Sequence, residues 1–77
     1  MDNAEVAENI LKLHALRAKI NMQNILKHMH LSSRSRDAKV VKKIFGDWVA
    51  LGWLVGGEDK GYVINKSGLE QIKVFFK

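Results

Sequence analysis

The chain has 77 residues, 47% of them apolar, and its 13 basic and 8 acidic side chains give it a net charge of +5. A chain of this length has room for one hydrophobic core, so we expect a single domain over residues 1–77 and no enzyme built around a large cleft. It contains no cysteine, which excludes disulfides, cysteine-ligated zinc and thiol catalysis.

The N-terminal segment predicts a first helix over about residues 3–17. Asp2 followed three residues later by Glu5 is a capping-box pattern, and apolar residues recur behind it at helical spacing. The segment begins with acidic residues, whereas a signal peptide begins with basic ones. No apolar run in the chain approaches the roughly 20 residues of a membrane-spanning helix. We therefore expect a cytoplasmic protein with no membrane partner.

Two further helices are predicted after this segment. Asn21 is a suitable N-cap for a second helix over about residues 22–30. The hydroxyl side chains of Ser32 and Ser33 then favour a turn. A third and longer helix is predicted over about residues 34–51, with Ser33 or Ser35 as its N-cap.

The third helix separates an apolar face from a basic face. Its predicted inward stripe consists of Val41, Ile44, Trp48 and Leu51, flanked by Val40 and Phe45. Its opposite side carries Arg36, Lys39, Lys42 and Lys43. Gly46 lies on that outward side, where a glycine costs about 1 kcal/mol relative to alanine. Either another surface approaches it closely or an exposed helix tolerates it.

Beyond the third helix the hydrophobic period changes from helical to strand-like. Two short runs of β-branched and aromatic residues, joined by the glycine-rich loop at residues 56–60, predict a β-hairpin over about residues 53–64. Asn65 then caps a last helix, predicted over about residues 66–76. This helix is expected to bury Leu69, Ile72 and Phe76.

Three apolar side chains are left outside the predicted core. They are Leu11 on the first helix and Val74 and Phe75 on the last. Exposed apolar side chains at helix surfaces are candidate contacts for a partner or for a second copy in a homodimer. Scattered examples are also common on monomers, so both interpretations stay open.

Four stretches of the chain are similar to recurrent phrases of one fold family. They are Ile20-Asn21, Leu31-Ser32, Leu51-Gly52-Trp53-Leu54 and Gly61-Tyr62-Val63-Ile64-Asn65-Lys66-Ser67-Gly68. With the order helix, helix, turn, helix, hairpin, helix, they resemble the winged-helix branch of the helix-turn-helix superfamily over nearly the whole chain. The resemblance implies an α+β, mostly α fold with a three-helix bundle, a β-hairpin wing and a C-terminal helix. Where many relatives have glycine before the turn, this chain has His30, which must tolerate whatever backbone the turn requires. Histidine is one of the non-glycine residues that are better tolerated at a positive φ.

The resemblance also implies double-stranded DNA as the partner, because the third helix corresponds to the recognition helix. The excess positive charge lies in residues 12–43, which carry nine bases against one acid, a net charge of +8. A helix fits the major groove, where arginine pairs with guanine and lysine contacts base edges or phosphates. The predicted DNA contacts are Lys27, Ser33, Arg34, Ser35, Arg36, Lys39, Lys42, Lys43 and, at the acidic hairpin tip, Lys60. The first amides of the second and third helices are further phosphate donors.

The function favoured by these observations is that of a small transcription regulator. Two other hypotheses stay open: a protein-interaction module, and a subunit of a larger nucleic-acid assembly, such as a replication, excision or phage-type accessory protein. If the basic residues of the third helix bind no nucleic acid, they simply form a solvated helix face. No histidine spacing fits a metal site, no cofactor or small-molecule substrate is indicated, and no catalytic pattern is found. Trp48 and Trp53 are predicted to be structural rather than base-stacking residues.

Overall fold

Residues 2–75, which a computed structural model describes, form four helices and one two-stranded antiparallel hairpin. The elements are α1 (Asn3–Ala15), α2 (Met22–His28), α3 (Arg36–Ala50), β1 (Leu54–Gly57), β2 (Gly61–Ile64) and α4 (Lys66–Val74). Their order and the α+β, mostly helical composition agree with the prediction. In this described part, no helix combines the length and the apolar character needed to cross a bilayer.

Each helix begins at a capping side chain that the sequence predicts. In α1 the Asp2 carboxylate accepts a hydrogen bond from the Glu5 N–H at 3.0 Å. The equivalent bonds run from Asn24 N–H to Asn21 (2.8 Å), from Ala38 N–H to Ser35 (3.1 Å) and from Gly68 N–H to Asn65 (2.6 Å). Each cap satisfies an amide that has no partner inside its helix. Of the two serines proposed to start α3, Ser35 is the cap.

The first three helices end earlier than predicted because each closes with a residue in the left-handed conformation. α1 ends at Ala15 and α2 at His28, two residues short of the predicted ends, and α3 ends one residue short. Arg17 and His30 each have a φ of 58°, and Gly52 has a φ of 79°. His30 thus adopts a positive φ, which histidine tolerates better than most residues other than glycine. In each case the following N–H bonds to the carbonyl five residues earlier, as in a Schellman motif: Ala18 to Leu13, Leu31 to Leu26 and Trp53 to Trp48.

The hydrophobic core lies between the helices and the inner face of the hairpin. Its buried apolar members are Val6, Ala7, Ile10, Leu13, Ile20, Ile25, Leu26, Ala38, Val41, Phe45, Trp48, Leu54, Ile64 and Ile72. Leu54 and Ile64 are paired across the strands and buried, whereas the next pair, Val55 and Val63, is exposed. This alternation follows from the two-residue period of a strand.

The buried face of α3 differs from the predicted stripe. It consists of Ala38, Val41, Phe45 and Trp48 and is therefore centred between Val41 and Phe45. At about 100° per residue, Leu51 falls roughly 100° from that centre. It is 61% exposed, so its predicted place in the core is wrong. Ile44 and Val40 lie on the same flank of the helix and are half-buried. Leu51 differs from them because it is the C-cap and lies past the last helical residue.

α4 packs closely against the entry to β1. Ile72 is buried and Leu69 is partly buried, as predicted, while Phe76 lies outside the described residues. A Cβ atom on Gly68 would meet the Cα, Cβ and carbonyl oxygen of Trp53 at 2.6–2.7 Å. Only glycine allows the helix to approach the backbone this closely.

The three apolar side chains predicted to lie outside the core differ in how far they are buried. Val74 is 57% exposed. The expectation that Phe75 lies outside is wrong, because its ring stacks on Trp48 with centroids 5.7 Å apart. Leu11 is partly buried against the core. Of the three proposed partner contacts, Val74 therefore keeps the most free surface.

Candidate nucleic-acid interface

The basic face of α3 runs along the side opposite its buried residues. Arg36 and Lys39 are exposed there, and neither side chain has a hydrogen-bond or ion-pair partner among residues 2–75. At about 100° per residue, both lie within about 40° of the direction opposite the centre of the buried face. The first two turns of α3 thus direct two unpaired positive charges into solvent from a helix whose other side is anchored in the core.

The next two cations on α3 have partners within the protein. Lys42 Nζ donates to the Ser33 carbonyl at 3.0 Å, which ties the helix to the turn before it. Lys43 Nζ pairs with Asp47 Oδ2 at 3.0 Å, between side chains that are 77% and 58% exposed. Exposed ion pairs contribute only about 0–1 kcal/mol. The Lys43 ammonium group can therefore exchange Asp47 for a phosphate at little cost.

The turn before α3 uses one of its predicted phosphate donors internally. Ser35 Oγ accepts from the Ala38 N–H and donates to the Ser32 carbonyl at 2.8 Å. The Ser35 hydroxyl proton is thus already donated to a carbonyl within the protein, which argues against the predicted role of Ser35 as a phosphate donor. Ser33 and Arg34 are exposed, and their side chains have no partner in the described part of the chain.

Lys27, Ser33 and Lys42 come together around one open groove. The groove has a volume of about 640 Å³ and is lined by residues of α2, α3, the turn between them and the hairpin tip. Leu26 and Leu31 form its apolar part. The fold therefore extends the basic surface of α3 to the last turn of α2.

The hairpin tip is bound to the start of α2. Glu58 Oε1 accepts from the Met22 N–H at 2.8 Å, and Oε2 accepts from the Gln23 N–H at 3.1 Å. The Asn21 side-chain amide donates to the Glu58 carbonyl at 2.8 Å. Amides at a helix start carry partial positive charge, which this carboxylate offsets. The first amides of α2 are therefore not free in the structure, which argues against the expectation that they bind phosphate.

A second set of contacts holds the hairpin beside the segment before α2. Lys19 Nζ donates to the Asp59 carbonyl at 2.8 Å, and the Tyr62 N–H donates to the Ile20 carbonyl at 2.6 Å. Lys60 is exposed and does not line the groove, whose residue from the hairpin tip is Glu58. The structure therefore does not bring Lys60 together with Lys27 and Lys42.

The role of Glu58 was not predicted from the sequence. Its amide partners are 36 and 35 residues away in the chain. Local patterns such as a capping box span only about four residues. The acidic loop gave one indirect signal, since carboxylates are favoured at helix starts and α2 has no acidic residue of its own in its first turn.

We expect Glu58→Gln to lower the free energy of unfolding by about 1 kcal/mol, because the neutral amide is a weaker acceptor for the two helix amides. Urea denaturation followed by tryptophan fluorescence measures the change. Asp59→Asn removes the same charge one residue away, but only the backbone carbonyl of Asp59 is used, so this control should unfold like the wild type. Equal stability of the two variants would contradict a stabilising role for the Glu58 carboxylate.

Among residues 2–75, no group of three or more histidine, aspartate or glutamate side chains is placed to hold a metal ion.

Comparison of the chain with protein-family models, with curated proteins and with solved structures finds no match. Function must therefore be inferred from the chemistry of the α3 face and its surroundings.

Proposed function

We propose that this protein binds double-stranded DNA with α3 in the major groove and acts as a small cytoplasmic transcription regulator of the winged-helix type. The observation that carries the proposal is the exposed, unpaired cationic start of α3 at Arg36 and Lys39, opposite an apolar face that is anchored in the core. A surface that is positive on one element and held rigidly from behind suits a polyanion.

The dimensions and order of the elements support the proposal. An α-helix with its side chains is about 10–12 Å wide, and the major groove of B-DNA is about 12 Å wide. α2, the turn and α3 follow one another as in a helix-turn-helix unit, and the hairpin after α3 takes the place of a wing. A double-stranded RNA helix is a poorer partner, because its major groove is too narrow for side chains to enter.

Phosphate contacts are assigned to the cations around α3. Lys39 and Lys43 extend from the outward face, and Lys27 and Lys42 from the groove beside it. Arg34 lies in the exposed turn before the helix. Each of these five side chains is assigned one phosphate. Lys60 is the one candidate phosphate contact at the hairpin tip. Its two acidic neighbours give the tip a net negative charge, so the tip contributes little to binding.

A salt series tests the proposal directly. With about five phosphates neutralised, the logarithm of the association constant should fall with the logarithm of salt concentration at a slope of about −4 to −5. Fluorescence anisotropy of a labelled mixed-sequence duplex measures this slope, and the matching single strand is the control for binding that does not need a helix groove. A weak response that does not depend on salt would overturn the proposal.

A second candidate function, a protein-interaction module, is favoured by a different observation. Val55 and Val63 are paired across the hairpin and are 56% and 69% exposed, and Val74 is 57% exposed. Exposed apolar pairs of this kind suit a protein partner. Gel filtration with and without duplex DNA separates the candidates, since a module that binds only protein would elute unchanged when DNA is added.

A further inference from the structure

The cations near the start of α3 differ in how many of their hydrogen-bond donors are already in use. Lys42 donates to the Ser33 carbonyl, and Lys43 is paired with Asp47. Arg36 has no partner within the described residues and is exposed. It therefore offers all five of its N–H donors to a ligand.

Arg36 also occupies the position on α3 that would enter a major groove first. It is the first residue of the helix, directly after the cap Ser35. Side chains at the N-terminal end of a helix in the major groove reach the base edges, while those further along or to the side reach the backbone. Arg34 precedes the cap and lies outside the helix, so we expect it to lie beside a phosphate.

The guanidinium group has a shape that the lysines around it lack. Its planar fork matches two acceptors at once, and O6 and N7 of guanine present such a pair in the major groove. A lysine ammonium is a compact charge on a flexible stem and binds a phosphate nearly as well as a base. Within the first turn of α3, Arg36 is the one side chain with this fork.

We infer that Arg36 is the specificity-determining residue of this interface and that it selects duplexes presenting guanine in the major groove. The inference rests on the proposed function, because it assumes that α3 enters that groove. Lys39, Lys42 and Lys43 add affinity without base preference. Replacing Arg36 therefore changes which sequences are bound, whereas replacing Lys42 changes how tightly all sequences are bound.

The experiment is a binding selection from a library of duplexes randomised over a central segment, carried out with the full chain. The wild type should enrich guanine at one or two positions and favour it over other bases by about 5- to 150-fold, the range expected for one bidentate contact. Arg36→Gln and Arg36→Lys should both lose this preference. Arg36→Lys keeps the charge, so its salt slope should stay unchanged.

Two controls separate the base contact from general binding. Lys42→Gln should bind every duplex more weakly but enrich the same guanine. Replacing that guanine by 7-deazaguanine in the selected duplex removes the N7 acceptor and should weaken the wild type while leaving Arg36→Gln unaffected.

The possible results distinguish this inference from the proposed function. Salt-dependent binding without guanine enrichment, or enrichment that survives Arg36→Gln, would overturn the inference and leave DNA binding standing. Failure of the library to bind at all would overturn both. Loss of guanine preference in both Arg36 variants, with an unchanged salt slope in Arg36→Lys, would support it.

Discussion

Trp48→Ala is expected to lower the free energy of unfolding by about 3–5 kcal/mol, which is the usual cost of truncating a buried tryptophan. The side chain is 4% exposed. Its ring packs against Trp53 with centroids 6.0 Å apart and against Phe75 at 5.7 Å. One side chain therefore joins α3 to the entry of β1 and to the end of α4. The total free energy of unfolding of a small domain is about 5–15 kcal/mol, so much of the stability of this chain depends on the Trp48 side chain.

Urea denaturation followed by far-ultraviolet circular dichroism measures the loss without relying on tryptophan fluorescence. Leu51→Ala is the matched control, because Leu51 lies one turn further along but is 61% exposed. Its cost should stay within about 0.5 kcal/mol, as is usual for surface substitutions. A Trp48→Ala variant that unfolds at nearly the wild-type urea concentration would show that the packing of these three rings is not what holds the elements together.

The double variant Lys39→Ala, Lys43→Ala is expected to weaken DNA binding by about 30-fold at about 0.15 M salt, because two fewer phosphates are neutralised. The slope of the salt series should become shallower by about 1.8. Both side chains are exposed on the outward face of α3. Because neither is part of the core, the variant should keep the helical content of the wild type.

The control variant also removes two positive charges, but from α4 instead of α3. Lys66→Ala with Lys73→Ala changes two exposed lysines of α4 and leaves the α3 face intact. Long-range attraction through net charge is screened beyond about 8 Å at physiological salt, so this variant should bind nearly as tightly as the wild type. Equal losses in the two double variants would mean that net charge, and not the α3 face, governs binding.

Local patterns predicted the framework of the fold well. The caps Asp2, Asn21 and Asn65 each needed only a side chain and an amide three residues later, and all three form as predicted. The ends of the helices were less predictable, because Arg17 adopts a left-handed conformation that its residue type disfavours. Packing, rather than propensity, decides such positions.

The candidate site was only partly predictable. Helical periodicity placed Arg36 and Lys39 on the outward face of α3, which the structure confirms. It also placed Leu51 on the inward face, because the predicted stripe was centred about 60° away from the face that is actually buried, toward Leu51. The internal use of Ser35 and Lys42, and above all of Glu58, depends on where other segments lie in space. No pattern within a single element contains that information.

The contact between Glu58 and the first amides of α2 affects how the free protein meets a partner. Hairpin and helix are already in one arrangement before anything binds, since the carboxylate and the Asn21 side chain join them at 2.8–3.1 Å. The loss of conformational entropy needed to order that loop therefore occurs during folding and not during association. If α3 binds DNA as proposed, this preorganisation favours rapid, rigid-body encounter, and none of the binding energy of the α3 cations is needed to order the hairpin.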